Sequence, residues 1–214
     1  MNLKSVTGKN WLFKKFDENY AKKISETFNL NINLSKFLSI RKIELEKIKD
    51  FLEPTIKNNL PNPVSIKDME NAIDLAAIHI QKKNTIGIFG DYDVDGATST
   101  ALLAKYFKRI NQPYELTIPD RIKDGYGPNV DGFKSLITKG SKIIISVDCG
   151  TSAHDAILFA KKKKVETIVL DHHQADVTLP KAIAIVNPNR LDDNSNLNYL
   201  CAAGVCFLFL ISLN

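Results

Sequence analysis

The sequence predicts an α/β fold, a mostly parallel sheet with flanking helices, preceded by a helical N-terminal segment. From Thr85 onward, short apolar runs alternate with amphipathic stretches, the pattern of βαβ units. Before about Asn84 the apolar residues recur at three and four positions, which is the helical period. The chain of 214 residues, 44% hydrophobic and 25% charged, can bury the core of one large or two small domains. The expected division is a basic helical lead-in over residues 1–64 and the α/β domain over residues 65–214.

The elements follow in order. In Lys42 to Leu52, the apolar residues Ile43, Leu45, Ile48, Phe51 and Leu52 fall near one helical face. Pro54, Pro61 and Pro63 then punctuate the chain. A helix is expected over Ile66 to Lys83, with Ser65 as its N-cap. TIGIFG, ending at Gly90, reads as the first strand, Thr98 to Ile110 as its helix, and Tyr114 to Ile118 as the next strand. The loop PDRIKDGYGPN leads into a helix near Val130 to Thr138, closed by Gly140. Lys142 to Val147 is a third strand, Ala153 to Lys164 a helix, Thr167 to Leu170 a fourth strand and Ala182 to Val186 a fifth. Tyr199 to Leu213 is apolar but shorter than the roughly 18 residues of a spanning helix, so a buried core helix is expected and no membrane.

The formal charge of +5 is uneven, since Met1 to Pro61 holds twelve Lys or Arg against seven Asp or Glu and the remainder holds seventeen of each. A basic N-terminal segment suits a polyanion such as nucleic acid, and equally a solvated helical face. Cys149, Cys201 and Cys206 form no CxxC pair and no zinc-like spacing with the histidines, which fits a reducing, cytoplasmic setting. The opening MNLKSVTGKNW has no apolar run of the signal-peptide kind, so secretion is not expected. Lysines 161–164 close a helix, where cations favour its dipole.

The chemistry gathers at strand ends. TIGIFG runs into Asp91, Asp93 and Asp95, KIIISV into Asp148, and TIVL into Asp171, His172 and His173. In an open parallel sheet the strand C-termini share one crevice, where such folds bind ligands. A lone Asp after a strand is commonly a turn former or N-cap, but here three strand ends coincide. Carboxylates gathered in one cleft repel each other and raise each other's pKa unless cations neutralise them. Oxygen ligands with an imidazole and no thiolate cluster favour Mn²⁺ or Mg²⁺ over zinc. Two ions bridged by one Asp would stabilise both the attacking and the leaving oxygen of a phosphoester. Gly90, Gly96 and Gly150 would let backbone approach metal or phosphate closely.

FGDYDVDGATSTALL, the PDRIKDGYGPN loop, SVDCGTSAHDAI, VLDHH, VNPNR and LCAAGVCFLF together resemble the DHH phosphoesterase superfamily, most of all the front part of its RecJ branch of single-stranded-DNA exonucleases. FLEPTIKNNLPNPVSIKDMENA resembles the lead-in of that branch. The resemblance implies that Asp93 binds one metal, Asp95 and His172 the other, and that Asp148 bridges them. His173 would act near the scissile phosphate by charge or proton donation. Asp91 is open between a ligand and an orienting role, and Asp171 is expected to fix the histidines by hydrogen bonds. Arg121 and Tyr126, beyond the second strand, would grip phosphate and stack on a base of single-stranded DNA, the alternative being an ordinary surface loop. Many superfamily members carry a His just ahead of the first Asp cluster; here Phe89 stands there, which argues against the small pyrophosphatase-like branch. His79 and His154 read as packing or surface residues.

The expected function is 5′ to 3′ exonuclease cleavage of single-stranded DNA in recombination and repair. The alternatives are a phosphodiesterase acting on short oligonucleotides or cyclic dinucleotides, and a non-catalytic DNA-binding relative. No GxGxxG follows the first strand, which weighs against a dinucleotide-binding module. The chain stops at Asn214 in an apolar helix, whereas the family continues to a further metal-binding Asp and a second domain. A fragment with little or no nuclease activity of its own is therefore expected, and protein partners are not legible.

Overall fold

A computed structural model describes residues 3–123, 125 and 127–214. The chain forms two compact units, residues 1–61 and 62–214.

In the first unit, a short antiparallel pair, β1 (Leu3–Lys4) and β2 (Asn10–Trp11), precedes four helices, α1 (Glu18–Phe28), α2 (Ile32–Ile40), α3 (Ile48–Leu52) and α4 (Ile56–Asn59). Asp17 caps α1 by accepting the Tyr20 N–H, and Ile24, Leu38 and Ile48 make the small core. The Tyr20 hydroxyl donates to the Ile43 carbonyl at 2.7 Å, tying α1 to the strap beyond α2. The helix expected over Lys42 to Leu52 is shorter than its apolar spacing suggests. Lys42 has a left-handed φ of 54°, so a 3-10 turn at Leu45–Lys47 leads into α3 instead.

The second unit is built on a parallel sheet of five strands, β3 (Ile86–Gly90), β4 (Tyr114–Thr117), β5 (Ile143–Val147), β6 (Glu166–Leu170) and β7 (Ala184–Val186), in the order β4-β3-β5-β6-β7. Its helices are α5 (Met69–Gln81), α6 (Val94–Arg109), α7 (Val130–Thr138), α8 (His154–Lys162) and α9 (Ala202–Ser212). Strand residues point alternately to the two faces. Ile86, Ile88, Ile143, Ile145 and Val147 pack with α5, α6 and α9, while Phe89, Ile144 and Val169 pack with α7 and α8. Burying each such side chain is worth about 1.5–3 kcal/mol, and both faces are covered, so the strands read as continuous apolar runs. Phe89 belongs to this packing, edge-on to Phe133 with ring centroids 5.6 Å apart.

Two boundaries differ from the sequence reading. Ser65 ends a 3-10 turn, and α5 begins at Met69 after Asp68, whose φ of 63° breaks the chain direction. Asp68 is engaged elsewhere: its Oδ2 accepts from Arg190 Nη1 at 2.6 Å and from the Ile185 N–H at 3.2 Å, joining the start of α5 to β7. The helix expected from Thr98 starts at Val94, because Asp93 Oδ1 caps it through the Gly96 N–H. The apolar C-terminal helix is α9; it packs on α6 and α5, with Phe209 fully buried and Phe207 39% exposed. No described helix is long and apolar enough to cross a membrane. All three cysteines are free.

Candidate metal centre

In the order β4-β3-β5-β6-β7, chain direction across the sheet reverses between β3 and β5, the kind of position where open parallel sheets hold ligands. Asp91 follows β3 and Asp148 follows β5. The turn after β3 is tight: a Cβ on Gly96 would stand 2.5 Å from the Asp91 carbonyl oxygen, so only glycine lets the chain fold back over Asp91. Asp148 adopts a left-handed φ of 58°, and its N–H donates to the Leu170 carbonyl at the end of β6. These constraints hold the carboxylates at the crevice.

Asp148 is 1% exposed, and neither of its carboxylate oxygens has a hydrogen-bond partner among the described residues. Burial, then the charges of Asp95 and Asp93, push its pKa up to about 8. A buried acceptor left without a donor is costly unless a cation meets it. Asp148 belongs to two groups of ligand atoms lying within 4.8 Å of one another, one with Asp91 and Asp93 and one with His172 and His173. His172 Nε2 lies 3.3 Å from Asp148 Oδ1 and 3.5 Å from Asp95 Oδ2. The donors are carboxylates and imidazoles, a set that fits Mn²⁺ or Mg²⁺.

The other expected residues take distinct places. Asp91 is buried and its pKa is raised by that burial, while its Oδ1 accepts the Tyr92 N–H. Asp93 is exposed, and its carboxyl is held below the usual range by the Gly96 N–H. Asp95 lies outside both ligand groups. Its two oxygens accept the Ala202 and Ala203 N–H groups at 2.7 and 2.8 Å, capping α9. Asp171, 1% exposed, is saturated. Its Oδ2 accepts from the Thr151 N–H and hydroxyl, and its Oδ1 from the His172 and His173 N–H groups and His173 Nδ1 at 2.7 Å. Burial alone would raise it, but the His173 and Thr151 hydrogen bonds outweigh that and lower its pKa to about 2. The same Asp171 bond raises His173 to about 8.

Arg121 stacks over the Tyr92 ring, 5.3 Å from its centroid, and so stands beside the Asp91 turn. Tyr126 lies outside the described residues. A cleft of ≈ 440 Å³ opens next to His173, lined also by Gly127, Gly150, Ser152 and Gln174. His79 is buried against Glu166 and Asn84, and His154 is an exposed residue opening α8.

Sequence reasoning missed Thr151, Asn187 and Asn189. Asn187 Nδ2 donates to the Thr151 hydroxyl at 2.8 Å and to the His173 carbonyl at 2.9 Å, and Asn189 Nδ2 donates to the His172 carbonyl. The VNPNR run carried this signal, because asparagines after a strand can clamp neighbouring backbone.

Residues 85–213 match the model of the DHH family, N-terminal domain. The single-stranded-DNA-specific exonuclease RecJ of Bacillus subtilis is 30% identical over 92% of this chain and 25% of its own length. RecJ of Haemophilus influenzae is 35% identical over 76% of this chain and 28% of its own length. A crystal structure of exonuclease RecJ bound to manganese superposes with a TM-score of 0.63 at 30% identity, over 69% of this chain and 37% of that one. The chain thus spans about a quarter of the length of the curated relatives it matches. Matched over more than half of its length, and with its carboxylates and paired histidines at the strand ends, this chain belongs to the DHH family.

Proposed function

We propose that the α/β unit carries the metal-dependent centre of a 5′ to 3′ exonuclease on single-stranded DNA. The observation that carries the proposal is Asp148, a buried carboxylate whose oxygens accept no hydrogen bond from the described residues, shared between a carboxylate group and an imidazole group. The exonuclease names of the relatives and the manganese of the similar structure support it.

Asp91, Asp93 and Asp148 would hold one divalent cation, Mn²⁺ or Mg²⁺. Asp148 and His172 would hold the second, with Asp95 reaching it through lone pairs that its bonds to α9 leave free. Two such cations supply Lewis-acid charge to the attacking and leaving oxygens of a phosphodiester. His173, held through Nδ1 by Asp171, would offer positive charge and a proton at Nε2 to the scissile phosphate. Asp171 and Thr151 fix the His173 ring, and Asn187 and Asn189 fix the backbone carrying both histidines. Arg121, braced on Tyr92, would bind a phosphate of the incoming strand, and Tyr126 would stack on a base.

The test incubates the chain with 5′- or 3′-labelled single strands, with and without Mn²⁺ or Mg²⁺. From a version extended by a DHH-family second domain, metal-dependent release of nucleotides from the 5′ end, abolished by Asp148→Ala, is expected, with little or none from the chain alone. Cleavage without metal, cleavage that begins at the 3′ end, or wild-type rates in Asp148→Ala would overturn the proposal. Absence of cleavage from the extended version while it still binds Mn²⁺ would overturn the nuclease reading and leave the metal centre standing.

A further inference from the structure

The N-terminal unit carries a surface that the phosphoester chemistry does not use. In residues 9–16, KNWLFKKF, cations and rings are interleaved, and only the two residues of β2 belong to regular structure. Trp11, Leu12 and Phe13 are 64%, 80% and 82% exposed. Adjacent apolar side chains left this open mark an interaction surface rather than scattered surface residues.

Cations accompany the rings. Lys36 Nζ lies 5.7 Å from the centroid of Phe16, and the Arg41 guanidinium 5.2 Å from that of the half-exposed Phe37. Among the described residues, Lys14, Lys15, Lys36 and Lys42 form no ion pair. Of the acids lining the hollow beside them, Asp17 caps α1 through the Tyr20 N–H and Glu44 pairs with Lys47 at 2.8 Å. A hollow of ≈ 490 Å³ is lined by Lys15, Phe16, Asp17, Tyr20, Lys42 and Glu44.

We propose that this face of the N-terminal unit binds single-stranded nucleic acid, with the rings of Trp11 and Phe13 stacking on unpaired bases and the free lysines meeting the phosphates. A duplex hides its base faces and offers the rings nothing to stack on, so the unpaired strand is the fitting partner. An apolar protein patch seated on Trp11 and Phe13 would bring Lys14 and Lys15 out of water without partners, which disfavours that occupant. The proposal deepens the nuclease reading and rests on it for the identity of the strand.

Trp11 is the only tryptophan in the chain, so its fluorescence reports on this face alone. In EDTA, titration of the chain with oligothymidylate is expected to quench that emission saturably. The apparent Kd should weaken with salt at a log–log slope of roughly 0.7 per phosphate contacted. Lys14→Glu combined with Lys15→Glu, and separately Phe13→Ala, should each raise Kd about tenfold, the size of one lost base–aromatic stack. Circular dichroism should confirm that the variants are folded. Three results would overturn the proposal: no quench, a quench indifferent to the charge reversal, or emission that shifts with protein concentration alone and so reports a second copy. Metal-dependent cleavage without quench would sink this surface and spare the nuclease reading. Quench without any metal-dependent cleavage by the extended version would do the reverse.

Discussion

The ends of β5 and β6 lie side by side in the sheet, and each carries an aspartate that is 1% exposed. At the end of β6, Asp171 accepts five hydrogen bonds and its pKa falls to about 2. At the end of β5, Asp148 accepts none from the described residues, and its pKa rises to about 8. Burial opposes the charged form at both places; the His173 and Thr151 hydrogen bonds outweigh it at Asp171, whereas at Asp148 the neighbouring charges of Asp95 and Asp93 add to it. The Asp171 region is complete within the chain, and it orients. The Asp148 region is left incomplete by the chain, the condition under which a cation supplies what protein donors do not.

The largest expected effect breaks the incomplete side. Asp148→Ala should weaken Mn²⁺ binding by more than about a hundredfold, since two groups of ligands share that residue, while the metal-free fold is retained or stabilised. Isothermal titration with Mn²⁺ and a thermal melt in EDTA measure the two halves of this statement. Asp171→Ala should invert the pattern. It strips partners from buried Thr151 and from His173, at a cost of about 3–5 kcal/mol of stability, and lowers metal affinity only about 10–100-fold. A melt that moves more for Asp148→Ala than for Asp171→Ala would erase the distinction between the two regions.

Acidity sharpens the same contrast. Asp171 has a folded pKa below its unfolded value near 3.8, so its stabilisation is full above about 3.8 and is lost as pH falls toward about 2. Asp148 has a folded pKa above its unfolded value, so its contribution turns unfavourable as pH rises from about 3.8 to about 8. Metal-free Asp148→Asn should therefore gain on wild type across that second window and not below it. Urea melts at pH 3.5, 6 and 8 decide this; a constant difference would show that Asp148 titrates normally.

The smallest effect is at Thr151. Thr151→Val removes one donor to Asp171 and one acceptor for Asn187, worth about 1–3 kcal/mol, and should leave Mn²⁺ stoichiometry unchanged. Altered stoichiometry would place Thr151 among the ligands.

Much of the α/β unit was legible, because strands buried on both faces leave unbroken apolar runs such as IIISV, and acids at their ends stand out against them. Element starts were less legible. Helix α6 begins at Val94 and not Thr98 because Asp93 caps it, a role that competes in sequence with the reading of Asp93 as a ligand alone. The two roles coexist, since the cap occupies Oδ1 and Asp93 still lies in a ligand group. Asp95 shows the limit more clearly: its partners, Ala202 and Ala203, lie more than a hundred residues away, and no local pattern announces a backbone cap at that separation. The pairing of Asp68 with Arg190 was hidden for the same reason. The β1–β2 pair, with two residues per strand, is too short to show alternation.

The central claim is that Asp148 is shared by two cation sites, and counting bound Mn²⁺ by electron paramagnetic resonance tests it most directly. The account predicts two ions per wild-type chain, magnetically coupled by their closeness, and no tightly bound ion in Asp148→Ala. Two ions retained in Asp148→Ala, or none in the wild type, would contradict it.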